Sequence, residues 1–314
     1  MKKLPPSKPP SIVSAPASAG AVIGRGAITG DRRAAVLGAT WMLLAGICFT
    51  AMSAIMKHLG ASLPTSTIVF FRMAVGLAVV LPIAWMAGGR EMLATRAPGR
   101  QAVRSFFGAA SLACMVYAVH ALPFATATAL AFTTPLWIVV LSWIFLGERP
   151  SRWALVSAAV GFTGVLVIAR PVVVFEPAIV VALAGALAAA AALTMVRALS
   201  ARDRSLTIVV WFSVYGTLYS LGPVLALWTT PSWTELPLLC STGALGVAGL
   251  FCSAQAYRTA NAAVVAPVDF ARLPVAAVVG VVVFAEIPDI FTALGALLIL
   301  AALSLTIADP TRRR

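Results

Sequence analysis

Ten apolar runs separated by short polar loops constrain this chain more than any other feature. A membrane helix needs about 20 mostly apolar residues. The runs fall at about 35–56, 67–87, 105–121, 125–146, 153–169, 178–196, 207–228, 236–256, 262–285 and 290–307. Of 314 residues, 61% are hydrophobic and 11% charged, whereas a soluble domain carries about 45–50% apolar and about 25% charged residues. That surplus cannot be hidden in one water-soluble core, so lipid is the solvent that fits. The expected fold class is an all-α integral membrane protein with ten transmembrane helices.

The formal net charge of +13 would suggest nucleic acid in a soluble chain, but its distribution reads as topology. With alternating spans, one face receives Arg32, Arg33, Arg90, Arg96, Arg100, Arg104, Arg149, Arg152, Arg197, Arg202, Arg204, Arg258 and Arg312–Arg314. The other receives only Lys57 and Arg170. Basic loops stay in the cytoplasm, so both termini are expected there, in a bacterial inner membrane, and no nucleic-acid partner is expected. Residues 1–33 combine lysines, prolines and small residues without a spanning run, which reads as a disordered cytoplasmic tail; residues 309–314 form a basic tail.

The two halves repeat at a near-constant offset. LLAGICFTAMSAIMKHL begins at 43 and LAGALAAAAALTMVRAL at 183, so Lys57 aligns with Arg197. Further on, Tyr117 falls on Tyr257, Pro135 on Pro274, and Glu148-Arg149-Pro150 on Glu286-Ile287-Pro288. The expected domains are 34–170 and 171–308. Five helices per half is an odd number, so the second half enters the membrane inverted, the architecture of secondary transporters with a midplane site between halves.

A charge at mid-span costs about 2.5–3.5 kcal/mol on insertion scales and normally faces a cavity or a partner. Arg72, Asp269 and Arg272 qualify. Asp269 and Arg272 lie three residues apart, on one helix face. Either they line a substrate site, with Asp269 neutralising Arg272 or taking up a coupling proton, or they form a permanent intrahelical ion pair. Arg72 reads as structural. Glu148 and Glu286 each end a span before x-Pro and suit the positive N-terminus of the next helix. Tyr117, Phe132, Trp137 and Gln255 supply rings and hydrogen-bonding groups for a pocket, although Tyr and Trp also anchor at membrane interfaces. Pro135 and Pro274 would each remove a backbone hydrogen bond inside a span and kink it.

On Lys57, FFR at Arg72, TTPLW at Pro135, PLWIVVLSWIFLGERP ending at Glu148 and its echo PVAAVVGVVVFAEIP, the chain resembles the drug/metabolite transporter superfamily in its EamA-domain branch, over about residues 35–307. The stretch RSFFGAASLACMVYAVHALPFATATALAFTTPLW is similar to the branch holding bacterial riboflavin and S-adenosylmethionine carriers. Ala285 stands where the family usually has glycine. The resemblance implies a secondary carrier of a small organic metabolite. Uptake of riboflavin or a similar heteroaromatic solute is one reading; export or exchange of amino acids or S-adenosylmethionine-like solutes is the other. A membrane scaffold is the non-transport alternative, and a homodimer stays open. No cofactor is expected: G-x-x-x-x-G-K-[ST], H-E-x-x-H and G-x-S-x-G are all missing, which removes the usual motifs for ATP, zinc and serine chemistry.

Overall fold

The computed structural model describes residues 25–95, 97–146, 152–169, 176–200, 203–260, 265 and 268–307. Within them every regular element is a helix: α1 (Arg25–Leu59), α2 (Thr65–Gly88), α3 (Arg90–Leu93), α4 (Pro98–Ala121), α5 (Phe124–Ala131), α6 (Thr134–Leu146), α7 (Arg152–Ala169), α8 (Pro177–Ser200), α9 (Ser205–Ala226), α10 (Glu235–Thr259), α11 (Arg272–Phe284) and α12 (Ile290–Ile307). Among the described residues, seven helical stretches are long and apolar enough to cross a membrane: 33–59, 65–88, 98–121, 124–141, 177–196, 206–226 and 235–259. Three shorter apolar helical stretches follow at 155–168, 272–284 and 290–302. The outward surface is apolar, with Met86, Val282 and Ile287 largely exposed, as a lipid-facing surface requires. Mid-helix hydroxyls such as those of Thr40, Thr217 and Ser304 return to their own backbone, at Val36 O, Ser213 O and Leu300 O, which satisfies them within the helix.

Two differences from the sequence expectation stand out. The first helix begins at Arg25, inside the segment read as tail; no proline occurs between Pro16 and Pro64 to stop it earlier. The fourth apolar run is also not one kinked helix. It ends as α5 at Ala131 and restarts as α6 at Thr134, so Pro135 sits in the first turn of α6, where its missing N–H costs nothing. The freed carbonyls are taken by hydroxyls: Thr133 Oγ1 donates to Leu130 O at 2.7 Å and Thr134 Oγ1 to Ala131 O at 2.8 Å. Pro274 likewise lies in the first turn of α11. Neither proline interrupts a continuous ladder.

Packing pairs helices across the two halves. The leading partners are α1 with α10, α4 with α8, α2 with α9 and α7 with α12. A close backbone approach joins α7 and α12, where a Cβ on Gly164 would meet the Gly295 carbonyl oxygen at 2.7 Å. Only glycine permits that spacing, and small residues set membrane helix contacts in general. The largest buried apolar cluster gathers Phe124, Leu130, Leu136, Leu273 and Ile299 around the α5–α6 break and α11.

Candidate functional site

The α5–α6 break and the start of α11 converge on a cavity of about 500 Å³ between α1, α4, α5, α6 and α8, within the range of small-molecule sites. Its walls are mostly apolar. Asp269 and Arg272 bring the formal charge, and Thr50, Ser53 and Ser111 add hydroxyls.

Arg272 opens α11 and reaches toward α1, where Gly46 leaves room: a Cβ there would come within 2.9 Å of Arg272 Cγ. Its guanidinium lies 4.9 Å from the Phe49 ring centroid and 5.5 Å from that of Phe132. A cation–π contact at a partly exposed site contributes about 0.5–1 kcal/mol, which lowers the cost of holding this cation in the membrane. Phe132 is fixed by the helix break and meets Phe270 edge-on at 6.1 Å. Arg272 Nη1 approaches Asp269 Oδ1 at only 3.4 Å, longer than the usual range for such bonds. Arg272 Nε is buried without a hydrogen-bond partner. The side chains of Arg272 and Asp269 keep 26% and 29% exposure, so the pair is loose and open to the cavity.

The other residues singled out by sequence separate. Pro135 and Phe132 line the cavity with Asp269 and Arg272. Tyr117 does not: it is 42% exposed, between buried Val116 and Ala118, on the outer phase of α4. Trp137 packs edge-on against Phe162 at 4.8 Å, outside the cavity lining. Gln255 is half-buried near the end of α10, where its carbonyl accepts Thr259 Oγ1, also away from the cavity. Arg72 lies against the α10 backbone, its Nη2 3.1 Å from where a Cβ on Gly246 would stand. Pro274 follows Arg272 in the first turn of α11. Glu148 lies outside the described residues.

Glu286 does not hold the next helix, as its place before Pro288 suggested. Asp289 Oδ1 takes that role, accepting the Thr292 N–H at 2.8 Å. Glu286 instead faces the first half: Oε1 pairs with Lys57 Nζ at 2.8 Å and Oε2 accepts the Phe124 N–H at 2.8 Å. Lys57 also donates to Val119 O and Leu122 O at 2.9 and 2.7 Å. Two arginine-and-lysine positions first counted as loop charge are thus packed groups, since Arg104 also lies within α4, its guanidinium 4.3 Å from the Phe212 ring centroid. Phe49 carried no sequence signal, being one aromatic in an apolar helix; the Phe-Thr-Thr-Pro run was the readable sign of the break.

An all-helical bundle with an apolar exterior and a charged corner in an internal cavity defines a membrane protein built to hold a small solute. The EamA-like transporter family model matches residues 36–170 and again 176–308, and the chain belongs to that family, within the drug/metabolite transporter superfamily. It is 32% identical to a riboflavin transporter of Rhizobium johnstonii over 89% of this chain and 93% of that one. It is 31% identical to a pseudopaline exporter of Pseudomonas aeruginosa, covering 83% and 92%, and 29% identical to an S-adenosylmethionine uptake transporter of Rickettsia felis, covering 84% and 90%. A solved crystal structure aligns over 90% of this chain and 99% of its own with a TM-score of 0.60 and 18% identity, a likeness of fold alone.

Proposed function

We propose that this transporter is a secondary carrier that takes up riboflavin or a similar heteroaromatic metabolite across the bacterial inner membrane. The observation that carries the reading is Arg272, held between the rings of Phe49 and Phe132 at the cavity wall with its Nε unpartnered. A flat ring system bearing carbonyl acceptors could slot beside those rings and accept from that guanidinium. The names of the Rhizobium johnstonii and Vibrio cholerae relatives, both riboflavin transporters, support the same solute class.

The reading includes ten spans in two inverted halves, 34–170 and 171–308, with both termini cytoplasmic. Three of the ten would be the shorter apolar helices, α7, α11 and α12. Support comes from the doubled family match and from the helix pairs. Exchanging the halves turns the α1–α10 contact into α8–α4 and leaves α2–α9 and α7–α12 unchanged. Asp269 would neutralise Arg272 in the empty cavity or carry a coupling proton.

A second reading, exchange or export of an amino acid or S-adenosylmethionine-type solute, is favoured by the opposite charges of Asp269 and Arg272 on one wall, which suit a zwitterion. Labelled riboflavin uptake into a flavin-auxotrophic bacterium separates the two. Saturable uptake, lost in Arg272→Ala that still reaches the membrane, supports the first. No uptake by the well-expressed parent discards riboflavin. Saturable flux of a competing zwitterion would then favour the second reading, and no flux of any solute would favour a scaffold.

A further inference from the structure

We infer that Lys57 and Glu286 form the latch that closes one end of the cavity, and that it must open for the cavity to face the side of the membrane where α1 ends. The inference rests on the carrier reading for its purpose, but on the geometry for its place.

The latch spans both halves. Lys57 ends α1, the Val119 and Leu122 carbonyls lie where α4 ends, and Glu286 follows α11. Glu286 also holds the Phe124 N–H, the first of α5, where a helix N-terminus favours a carboxylate. Phe124 is the connection to the cavity. It is fully buried, lines the cavity, and rests on Phe284 at 5.7 Å between ring centroids. One carboxylate therefore holds both the cation of one half and the backbone of a residue whose ring lines the cavity.

Every bond in this cluster is charge-assisted, the strong kind, yet the pair is not sealed away. The Lys57 side chain is 9% exposed and that of Glu286 27%, so the carboxylate lies at the edge of the packing and has room to part from the lysine. The segment bearing Glu286 is also conformationally loaded. Ala285 has φ 54°, the left-handed region, at the end of α11, a conformation that disfavours any residue with a Cβ. The Ala285 and Glu286 N–H groups both return to the Gly280 carbonyl.

The test is thiol accessibility without any solute, so that it does not depend on the substrate. Cys48, Cys114, Cys240 and Cys252 are replaced by serine, and Ala127→Cys, on the cavity wall one turn beyond Phe124, is the reporter. A membrane-impermeant maleimide is added to whichever side labels Ala61→Cys, an exposed position just beyond Lys57. Glu286→Gln keeps an acceptor for the Phe124 N–H but removes the charge; it is expected to raise reporter labelling roughly tenfold, the factor for losing one charge-assisted contact. Lys57→Met is expected to raise it further, and Lys57→Arg to leave it near the parent. Each variant is first shown monodisperse in detergent. Unchanged labelling in both Glu286→Gln and Lys57→Met overturns the latch. Faster labelling in a chain that moves no solute keeps the latch and sinks the carrier reading instead.

Discussion

Two charge pairs in this membrane protein are built in opposite ways. Lys57 and Glu286, from different halves, meet at 2.8 Å, and each has further backbone partners. Asp269 and Arg272, three residues apart, meet at 3.4 Å, and Arg272 Nε has no acceptor. The saturated pair joins separate elements and has little bonding capacity left. The loose pair retains capacity, faces a cavity and has aromatic rings around it. Charges within a span usually face a cavity or a partner, and on the proposed carrier reading the solute is what completes the bonding of Arg272.

The contrast can be broken most sharply at the loose pair. Arg272→Ala should reduce solute uptake by at least about tenfold, the loss expected for one charged hydrogen bond, while thermal unfolding in detergent changes little. Lys57→Met should do the reverse to stability, because it removes the cation from Glu286 and from two backbone carbonyls: losing a charged hydrogen-bond partner costs about 1.5–3 kcal/mol, read as a drop in Tm. If Arg272→Ala unfolds the protein and Lys57→Met does not, the roles are exchanged.

Smaller effects sharpen the picture. Gly246→Val places side-chain carbons where the Arg72 guanidinium lies, and overpacking of this kind costs about 1–3 kcal/mol, measurable as lowered Tm. Ala285→Gly relieves the left-handed strain and should stabilise by about 1 kcal/mol, seen as a modest rise in Tm. Tyr117→Ala should leave solute uptake unchanged, since that ring faces outward.

Much of this was readable from the sequence. Apolar runs located most of the helices because bilayer thickness sets their length, and the cost of burying charge singled out Asp269 and Arg272. What the sequence hid was phase and pairing. Tyr117 looked like a pocket residue until its position on α4 was known, one step away from the buried face. Lys57 and Glu286 are far apart along the chain and were read separately, one as a topology marker and the other as a helix-end carboxylate. Phe49 is indistinguishable from any other apolar residue of α1 until Arg272 is seen beside it. The turn at Phe132–Thr133 was written in Phe-Thr-Thr-Pro, where proline reads equally as a kink or as the start of a new helix.

The central claim is that the Arg272 corner of the cavity receives the transported solute. It is tested most directly by counterflow in proteoliposomes loaded with unlabelled riboflavin, with labelled riboflavin outside, comparing the parent with Arg272→Ala. The account predicts transient accumulation of label by the parent and none by the variant. Equal accumulation by both, with equal reconstitution, would contradict it.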